Sequence, residues 1–216
     1  MTNRSANATI KGYFYQFDHT ILNILGASSS GASVVIEGIE DIDLTDGSND
    51  VLVQCKYYEG TVYNHSVIKD AVIQMLRHYH KAGQFEKQQL RYRVFGHYKN
   101  GQDKLKQPFT LDFLKEHFLT YTESDKDKNK TKQQEFERLK LSDAQLAHFQ
   151  SLLEINIDAP SYENQQSQIV TMLKMQITNC SQEDAEVFYY PNAINVIQGL
   201  AVSKDIKDRK ITKAKF

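Results

Sequence analysis

Apolar side chains recur every three or four positions in two stretches of this sequence, a spacing typical of helices with one buried face. The first stretch, residues 11–26, ends at Gly26, and its apolar stripe is Phe14, Phe17, Ile21, Ile24 and Leu25. The second begins at Ser66, and its stripe is Ile68, Ala71, Val72, Met75, Leu76 and Tyr79. We predict two amphipathic helices here, the first of which packs on a sheet.

Between these helices the pattern changes to that of short β-strands. Residues 34–36 are apolar and are followed by four acidic residues, Glu37, Glu40, Asp41 and Asp43. A turn signal at residues 45–49, TDGSN, separates this acidic segment from residues 50–58, which are rich in β-branched and aromatic side chains. We therefore predict two or three short strands joined by a tight turn.

Alternation along these strands brings candidate chemistry to one face. Because successive side chains of a strand point to opposite faces, Gln54 and Lys56 share one face, and Asp41 and Asp43 share one face of the preceding strand. Pairing of the two strands would place carboxylate, amide and ammonium groups together at a sheet edge. The sequence does not fix the register of that pairing, so Asp41 and Asp43 are rival candidates.

Oxygen donors of this kind suit Mg²⁺, which takes one or two carboxylates, a carbonyl oxygen and several waters. A lysine beside such an ion can orient or deprotonate an attacking water, or stabilise charge that develops on a phosphate. The sequence therefore indicates a metal-dependent hydrolase acting on a phosphate ester. Nucleotide hydrolysis of the common kinds is disfavoured, because the chain has no phosphate-binding glycine loop, serine nucleophile elbow or zinc motif.

Three motifs follow one another in the order known from one superfamily. Residues 12–16 read Gly-Tyr-x-Tyr-Gln at a helix start, residues 37–41 read E-x-x-E-D, and residues 54–56 read Q-x-K. This series resembles the restriction-endonuclease-like PD-(D/E)xK superfamily in its Mrr-type QxK form. More narrowly, it is similar to the N-terminal nuclease domains of bacterial anti-phage defence effectors. The resemblance covers residues 10–60 well and the remainder only in general pattern.

The resemblance implies an α/β fold, a restriction-endonuclease-like mixed sheet flanked by helices, and a Mg²⁺- or Mn²⁺-dependent DNA endonuclease. Asp41 would be the main metal carboxylate with Asp43 as its rival, Gln54 would supply an oxygen to the metal, and Lys56 would position the attacking water. Glu37 and Gln16 would be further contributors near the metal. Implied partners are DNA, expected to be double-stranded, and either a second copy of the chain or a sensor or ATPase domain or subunit. The alternative is a nuclease-fold module without activity that binds DNA or assembles proteins.

The rest of the chain completes these expectations. Residues 1–105 would form the nuclease core, and residues 106–216 a mostly helical region that completes the core or is appended to it. Residues 90–98 alternate as a strand, and Arg91 and Arg93 on one face indicate an edge or a face turned to solvent or phosphate. Residues 123–134 are charged and favour a solvated loop, and residues 208–216 show no clear element.

Composition and charge limit the classes of function and the cellular locations that the chain can have. The 216 residues include 26 basic and 27 acidic ones, and a net charge of −1 weighs against a protein that coats nucleic acid constitutively. No apolar run approaches the ~20 residues that cross a membrane, and the N-terminus lacks an apolar signal region. Cys55 and Cys180 form no spaced metal motif. We therefore expect a cytoplasmic protein with no membrane partner.

Overall fold

The computed structural model of the protein describes residues 6–83, 90–124 and 130–216. The first half of the chain contains helix α1 and strands β1 to β3, followed by helix α2 and strand β4. Their bounds are α1 Ala6–Gly26, β1 Ser33–Ile36, β2 Ile42–Asp46, β3 Asn49–Val62, α2 Ser66–Lys81 and β4 Leu90–Asn100. The predicted helices and strands of this half are therefore present, and α1 begins five residues earlier than the apolar stripe indicated.

The second half of the chain is mostly helical. Its helices are α3 Leu111–Phe113, α4 Glu135–Arg138, α5 Asp143–Leu152, α6 Tyr162–Gln176, α7 Gln182–Asp184 and α8 Tyr190–Ala201. The π-helical turns Leu114–Phe118 and Ala185–Tyr189 continue α3 and α7, and 3₁₀ turns cover Gln102–Lys104 and Ile206–Arg209. Its strands are β5 Thr120–Ser124, β6 Lys130–Gln134, β7 Leu153–Asn156 and β8 Lys210–Thr212.

Six strands form one mixed sheet in the order β7-β4-β3-β2-β1-β8. Strands β1, β2 and β3 form an antiparallel meander, whereas β4 lies parallel to β3 because α2 returns the chain to the start of the sheet. Strand β7 is parallel to β4, and β8 is antiparallel to β1. The prediction of an α/β fold with a mixed sheet flanked by helices and a helical C-terminal region is confirmed.

The alternation of β3 explains why helices cover both faces of the sheet. On one face Val51, Val53 and Cys55 pack with Tyr15 and Ile24 of α1. On the other face the core combines side chains of β3 and β4 with α2 and α5; among its members are Leu52, Ile68, Val72, Tyr92, Val94 and Phe149. Helices α6 and α8 pack on the outer side of α1. Helix α1 is thus held on several sides, which fixes the position of the residues along it.

Two expectations for the charged segments are wrong in part. Strand β4 lies inside the sheet and not at its edge, but Arg91 is exposed and the Arg93 side chain is 28% exposed, so their face is turned to solvent, as the other alternative expected. The Arg93 guanidinium also meets Glu154 of β7 at 2.9 Å. Residues Thr120–Ser124 and Lys130–Gln134 pair as an antiparallel two-stranded sheet where a solvated loop was expected. The part of that expectation that concerns residues 125–129 lies outside the described residues.

The C-terminal stretch is also more ordered than its pattern indicates. Residues 210–212 form β8, the edge strand beside β1, although the sequence shows no strand signal there. The Lys213 ammonium then donates hydrogen bonds to the carbonyl oxygens of Leu25 and Ala27 at 2.8 and 2.7 Å, at the end of α1. A lysine at a helix C-terminus satisfies carbonyl groups that the helix leaves unpaired. Across the described ranges, no helix has the length and apolarity needed to cross a membrane.

Candidate active site

The register of β2 against β3 decides which aspartate meets the Q-x-K motif. Ile42 pairs with Val53 and Asp43 with Leu52, so Asp41, just before β2, reaches the level of Gln54. The Gln54 amide nitrogen donates a short hydrogen bond to Asp41 Oδ2, and the backbone N–H of Cys55 donates to the same oxygen at 2.8 Å. Asp41 is therefore fixed directly on β3.

Gln16 of α1 braces the loop that carries Asp41. Its side chain is only 5% exposed, and its Nε2 donates to Glu37 Oε1 at 2.8 Å and to the Asp41 carbonyl at 3.2 Å. Glu37 has a left-handed backbone, with φ of 51°, and its N–H donates to the Asp41 carbonyl at 3.0 Å. The loop from Glu37 to Asp41 thus closes on itself, and α1 holds it from one side. Gln16 is accordingly a buried bracing residue and not a surface residue.

The predicted site residues divide between a cleft and its surroundings. Gln16, Asp41, Gln54 and Lys56 line one cleft of about 550 Å³ between the N-terminal turns of α1 and the part of β3 that extends past β2. Glu37 contacts this group through Gln16 but does not line the cleft, and neither does Asp43. The structure thus brings together four of the six predicted residues around one space that a ligand can enter.

Asp43 has a different environment. Its Oδ2 accepts the N–H of Ile39 at 2.7 Å, and its Oδ1 accepts the N–H of Glu40 at 3.1 Å. Gly38 passes so close that a Cβ at this position would lie 2.2 Å from Asp43 Oδ2. A side chain at 38 would therefore displace the Asp43 carboxylate from the Ile39 and Glu40 N–H groups that it accepts. Asp43 shapes the loop that presents Asp41, and both of its oxygens already accept hydrogen bonds.

The acidic side chains of this loop and of the start of β2, Glu40, Asp41 and Asp43, all have pKa values raised by burial. Burial raises the pKa of Asp41, and the nearby Glu37 raises it further, although the Cys55 N–H, Lys56 and Gln54 each lower it in part. Burial also raises the pKa of Glu40 to about 7, with contributions from Asp41 and Asp43, while Lys56 lowers it. A neighbouring cation would favour the ionised forms of these acids.

The oxygen donors present suit Mg²⁺ or Mn²⁺ held by few protein ligands. The amino group of Gln54 is used on Asp41, which leaves the amide oxygen of Gln54 and the second oxygen of Asp41 as donors toward the cleft. Hard cations accept such a set because waters and substrate phosphates complete their shell. Within residues 6–83, 90–124 and 130–216, no group of three or more His, Cys, Asp or Glu side chains is arranged to hold a metal.

Sequence reasoning missed the aromatic walls of the cleft. Tyr13 of α1 and Tyr57 and Tyr58 of β3 line it, and the rings of Tyr15 and Tyr57 lie 4.6 Å apart beneath it. A salt bridge of 2.9 Å between Lys11 and Glu59 links α1 to β3 at the same place. The repeated tyrosines at 13, 15, 57 and 58 are the signal that could have indicated these walls.

Comparison of the chain with models of protein families finds no match, and comparison with curated protein sequences finds none either.

Proposed function

We propose that this chain is a metal-dependent DNA endonuclease that hydrolyses phosphodiester bonds. The observation that carries the proposal is the shared cleft, which Asp41, Gln54 and Lys56 all line although the first two are 13 positions apart. The resemblance of the three motifs to restriction-endonuclease-like nucleases supports the same activity. It also supports a restriction-endonuclease-like fold and a role as the effector nuclease of a bacterial anti-phage defence system.

Each residue has a distinct part in this proposal. Asp41 and the amide oxygen of Gln54 would hold Mg²⁺ or Mn²⁺, and a bound divalent cation polarises a phosphate and lowers the pKa of a coordinated water. Lys56 would orient the attacking water and stabilise the negative charge that develops as a new P–O bond forms and another breaks. Gln16 would act as a positioning residue, because it holds the Asp41 carbonyl and the Glu37 carboxylate together.

The proposed substrate is double-stranded DNA, and the proposed partners follow from its two strands. Nucleases of the superfamily that the motifs resemble often use two active sites for the two strands, and this resemblance favours a second copy of this chain. A sensor or ATPase domain or subunit is the other proposed partner, and it would also supply the DNA affinity that a net charge of −1 does not.

A second function is a nuclease-fold module without activity that binds DNA or assembles proteins. The hydrogen bond from the Gln54 amino group to Asp41 favours it, because an amide donor occupies one oxygen of the main candidate metal ligand. The two functions differ in their need for metal and for Lys56. A binding module needs neither.

The deciding experiment is cleavage of supercoiled plasmid with Mg²⁺ or Mn²⁺. We expect Lys56→Ala to lower the cleavage rate by about 100-fold or more, the usual range for a positioned proton-transfer or charge-stabilising group. Asp41→Asn should abolish the metal-dependent cleavage. Lys174→Ala is the matched control, because Lys174 is exposed on α6 and outside the cleft, and it should cleave like the wild type.

Plasmid cutting that persists in both Lys56→Ala and Asp41→Asn would show that the cleft is not the active site. Absence of cutting by the wild type with every divalent metal and candidate partner would replace the endonuclease with the binding module.

A further inference from the structure

A second recess lies on the other side of α1, between this helix and the end of α8. It has a volume of about 900 Å³, and its lining includes Tyr13, Phe14, Phe17, Asn195, Gln198 and Arg209. We call it the α1–α8 groove. Its size is at the upper end of the range of small-molecule sites, which are mostly apolar with a few polar groups that fix orientation.

The α1–α8 groove adjoins the candidate active site. Tyr13 lines both the groove and the cleft, and it is 52% exposed on the ridge of α1 that separates them. Glu37 lines the groove and accepts the hydrogen bond from Gln16, which lines the cleft. A ligand that bends over Tyr13 would therefore occupy both spaces at once.

The polar groups of the groove match the edges of a nucleotide. Asn195 and Gln198 offer amide donors and acceptors beside aromatic walls, a combination that suits a flat ring with polar edges. The Arg209 guanidinium uses Nε on the Ser203 carbonyl and Nη1 on the Glu37 carbonyl, so its Nη2 group takes part in neither bond. A guanidinium fixed in this way is prepared for a phosphate oxygen.

We propose that the α1–α8 groove receives one unstacked nucleobase of a DNA strand whose neighbouring phosphate lies in the cleft. The inference rests on the proposed endonuclease function and narrows its substrate to DNA with an unpaired nucleotide next to the cut. Tyr13, on the ridge between the two spaces, stacks on a base where the strand passes from the cleft into the groove. Arg209 contacts the next phosphate of the strand on the groove side. Unpaired DNA is favoured because a paired base must first be unpaired and unstacked before it can enter the groove.

Two helical glycines allow the cavities to be closed one at a time. Gly199 lines the groove and Gly12 lines the cleft, and a Cβ at either position meets nothing within 4 Å. Gly199→Phe and Gly12→Leu therefore place a bulky side chain in one space each from a Cβ position that is free, and replacing a helical glycine generally favours the helix. Gln198→Ala removes a groove amide without adding bulk, and Phe188→Ala is the control at an exposed aromatic outside both cavities.

The measurement is fluorescence anisotropy of the full chain in the Lys56→Ala background, with Ca²⁺ present. The probes are a labelled 20-base-pair duplex, the same duplex with a three-nucleotide unpaired bubble, and bubble duplexes with one abasic position each. We expect the bubble to bind about 10-fold tighter than the intact duplex and to lose that gain at one abasic position. Gly199→Phe and Gln198→Ala should remove the dependence on the abasic position, whereas Phe188→Ala should keep it.

Equal affinity for the bubble and the intact duplex, or a bubble preference that Gly199→Phe leaves unchanged, would overturn the groove inference. A dimer in size-exclusion chromatography that Gly199→Phe dissociates would also overturn it and assign the groove to a second copy. Plasmid cleavage that is lost in Gly12→Leu but unchanged in Gly199→Phe would support the endonuclease function and overturn the groove inference. Base-dependent binding without any cleavage would support the groove as a base-binding site and overturn the endonuclease function.

Discussion

Two inward-facing carboxylates of this chain, Glu135 and Asp41, are held in opposite ways. Glu135 is 0% exposed, and its oxygens accept hydrogen bonds from Arg77 Nε at 2.6 Å and from Arg138 Nε at 3.0 Å. Burial would raise the pKa of Glu135, but the bonds from Arg138 and Arg77 outweigh it and lower the pKa to about 2. Asp41 accepts from an amide and a backbone N–H instead, and burial keeps its pKa raised.

The difference separates a carboxylate that stabilises the fold from one that is available for chemistry. Glu135 has its charge neutralised within the protein: Arg77 joins it to α2, and Arg138 pairs with it within α4. Asp41 faces a cleft that Lys56 also lines, and the positive charge of Lys56 lowers the pKa of both Asp41 and Glu40 in part. A divalent ion would gain the most binding free energy beside a solvent-facing carboxylate that has little positive charge near it.

Asp18 sharpens the comparison, because burial raises its pKa to about 7 without any access to the cleft. Its side chain is 0% exposed, Oδ1 accepts from the Tyr190 hydroxyl at 2.9 Å, and Oδ2 has no partner in the described part of the chain. The largest effect we predict is at this residue. A pKa that rises on folding gives stability at low pH, and this stability is lost as the pH rises through the folded value.

We expect Asp18→Asn to be more stable than the wild type above pH 7 and similar to it near pH 4. The span from 3.8 to about 7 is about three pH units, which corresponds to at most about 4 kcal/mol in the free energy of unfolding. The measurement is urea unfolding of both proteins from pH 4 to 8. Their difference is the readout, because buried His19, whose pKa is lowered to about 3, contributes the opposite slope to both. A difference that does not change with pH would show that Asp18 is already compensated.

The second largest effect concerns Glu135. We expect Glu135→Gln to lower the free energy of unfolding by about 2 kcal/mol at pH 7, less than the 3–5 kcal/mol of a fully buried pair. The expected loss of stability is smaller than for a fully buried pair because the side chains of Arg77 and Arg138 are 38% and 50% exposed and can be hydrated. Because the pKa of Glu135 is lowered, its contribution is present above pH 4.5 and lost as the pH falls through about 2. Unfolding curves of the two proteins should therefore converge at acid pH, and a constant gap would contradict this account.

The sequence predicts much of this arrangement because the relevant patterns are local. Alternation along β3 places Gln54 and Lys56 on one cleft, and the apolar stripe of α1 leaves Gln16 facing the acidic loop. The choice between Asp41 and Asp43 depends on the β2–β3 register. The two-residue turn at Gly47 and Ser48, which joins Asp46 to its partner Asn49, sets that register. How Asp41 is then presented depends on the loop with a left-handed Glu37 between β1 and β2, which no hydrophobic period encodes.

Long-range pairing explains the expectations that are wrong. Strand β4 lies inside the sheet because β7 pairs with it, and Glu154 of β7 meets Arg93 from 61 positions later in the chain. Strand β8 has three residues, too few for an alternation signal, and it exists because β1 offers a free edge. The α1–α8 groove likewise joins residues about 190 positions apart, so its aromatic and amide groups cannot be associated from the sequence alone.

The smallest effect tests the comparison at Asp41 itself. A ligand that binds only the folded protein stabilises it by RT ln(1 + [L]/Kd), which is about 1 kcal/mol when free Mg²⁺ is five times Kd. We expect Mg²⁺ to raise the unfolding temperature of the wild type and of Asp43→Asn, because the oxygens of Asp43 accept the N–H groups of Ile39 and Glu40. Asp41→Asn should not respond, and Asp18→Asn should respond like the wild type.

Without metal at pH 7, Asp41→Asn should be slightly more stable than the wild type, because the neutral amide can accept the Gln54 and Cys55 donors without the burial penalty of a charge. A Mg²⁺ response that survives in Asp41→Asn but disappears in Asp43→Asn would reverse the assignment of the metal carboxylate, and it would mean that the loop opens when the cation binds.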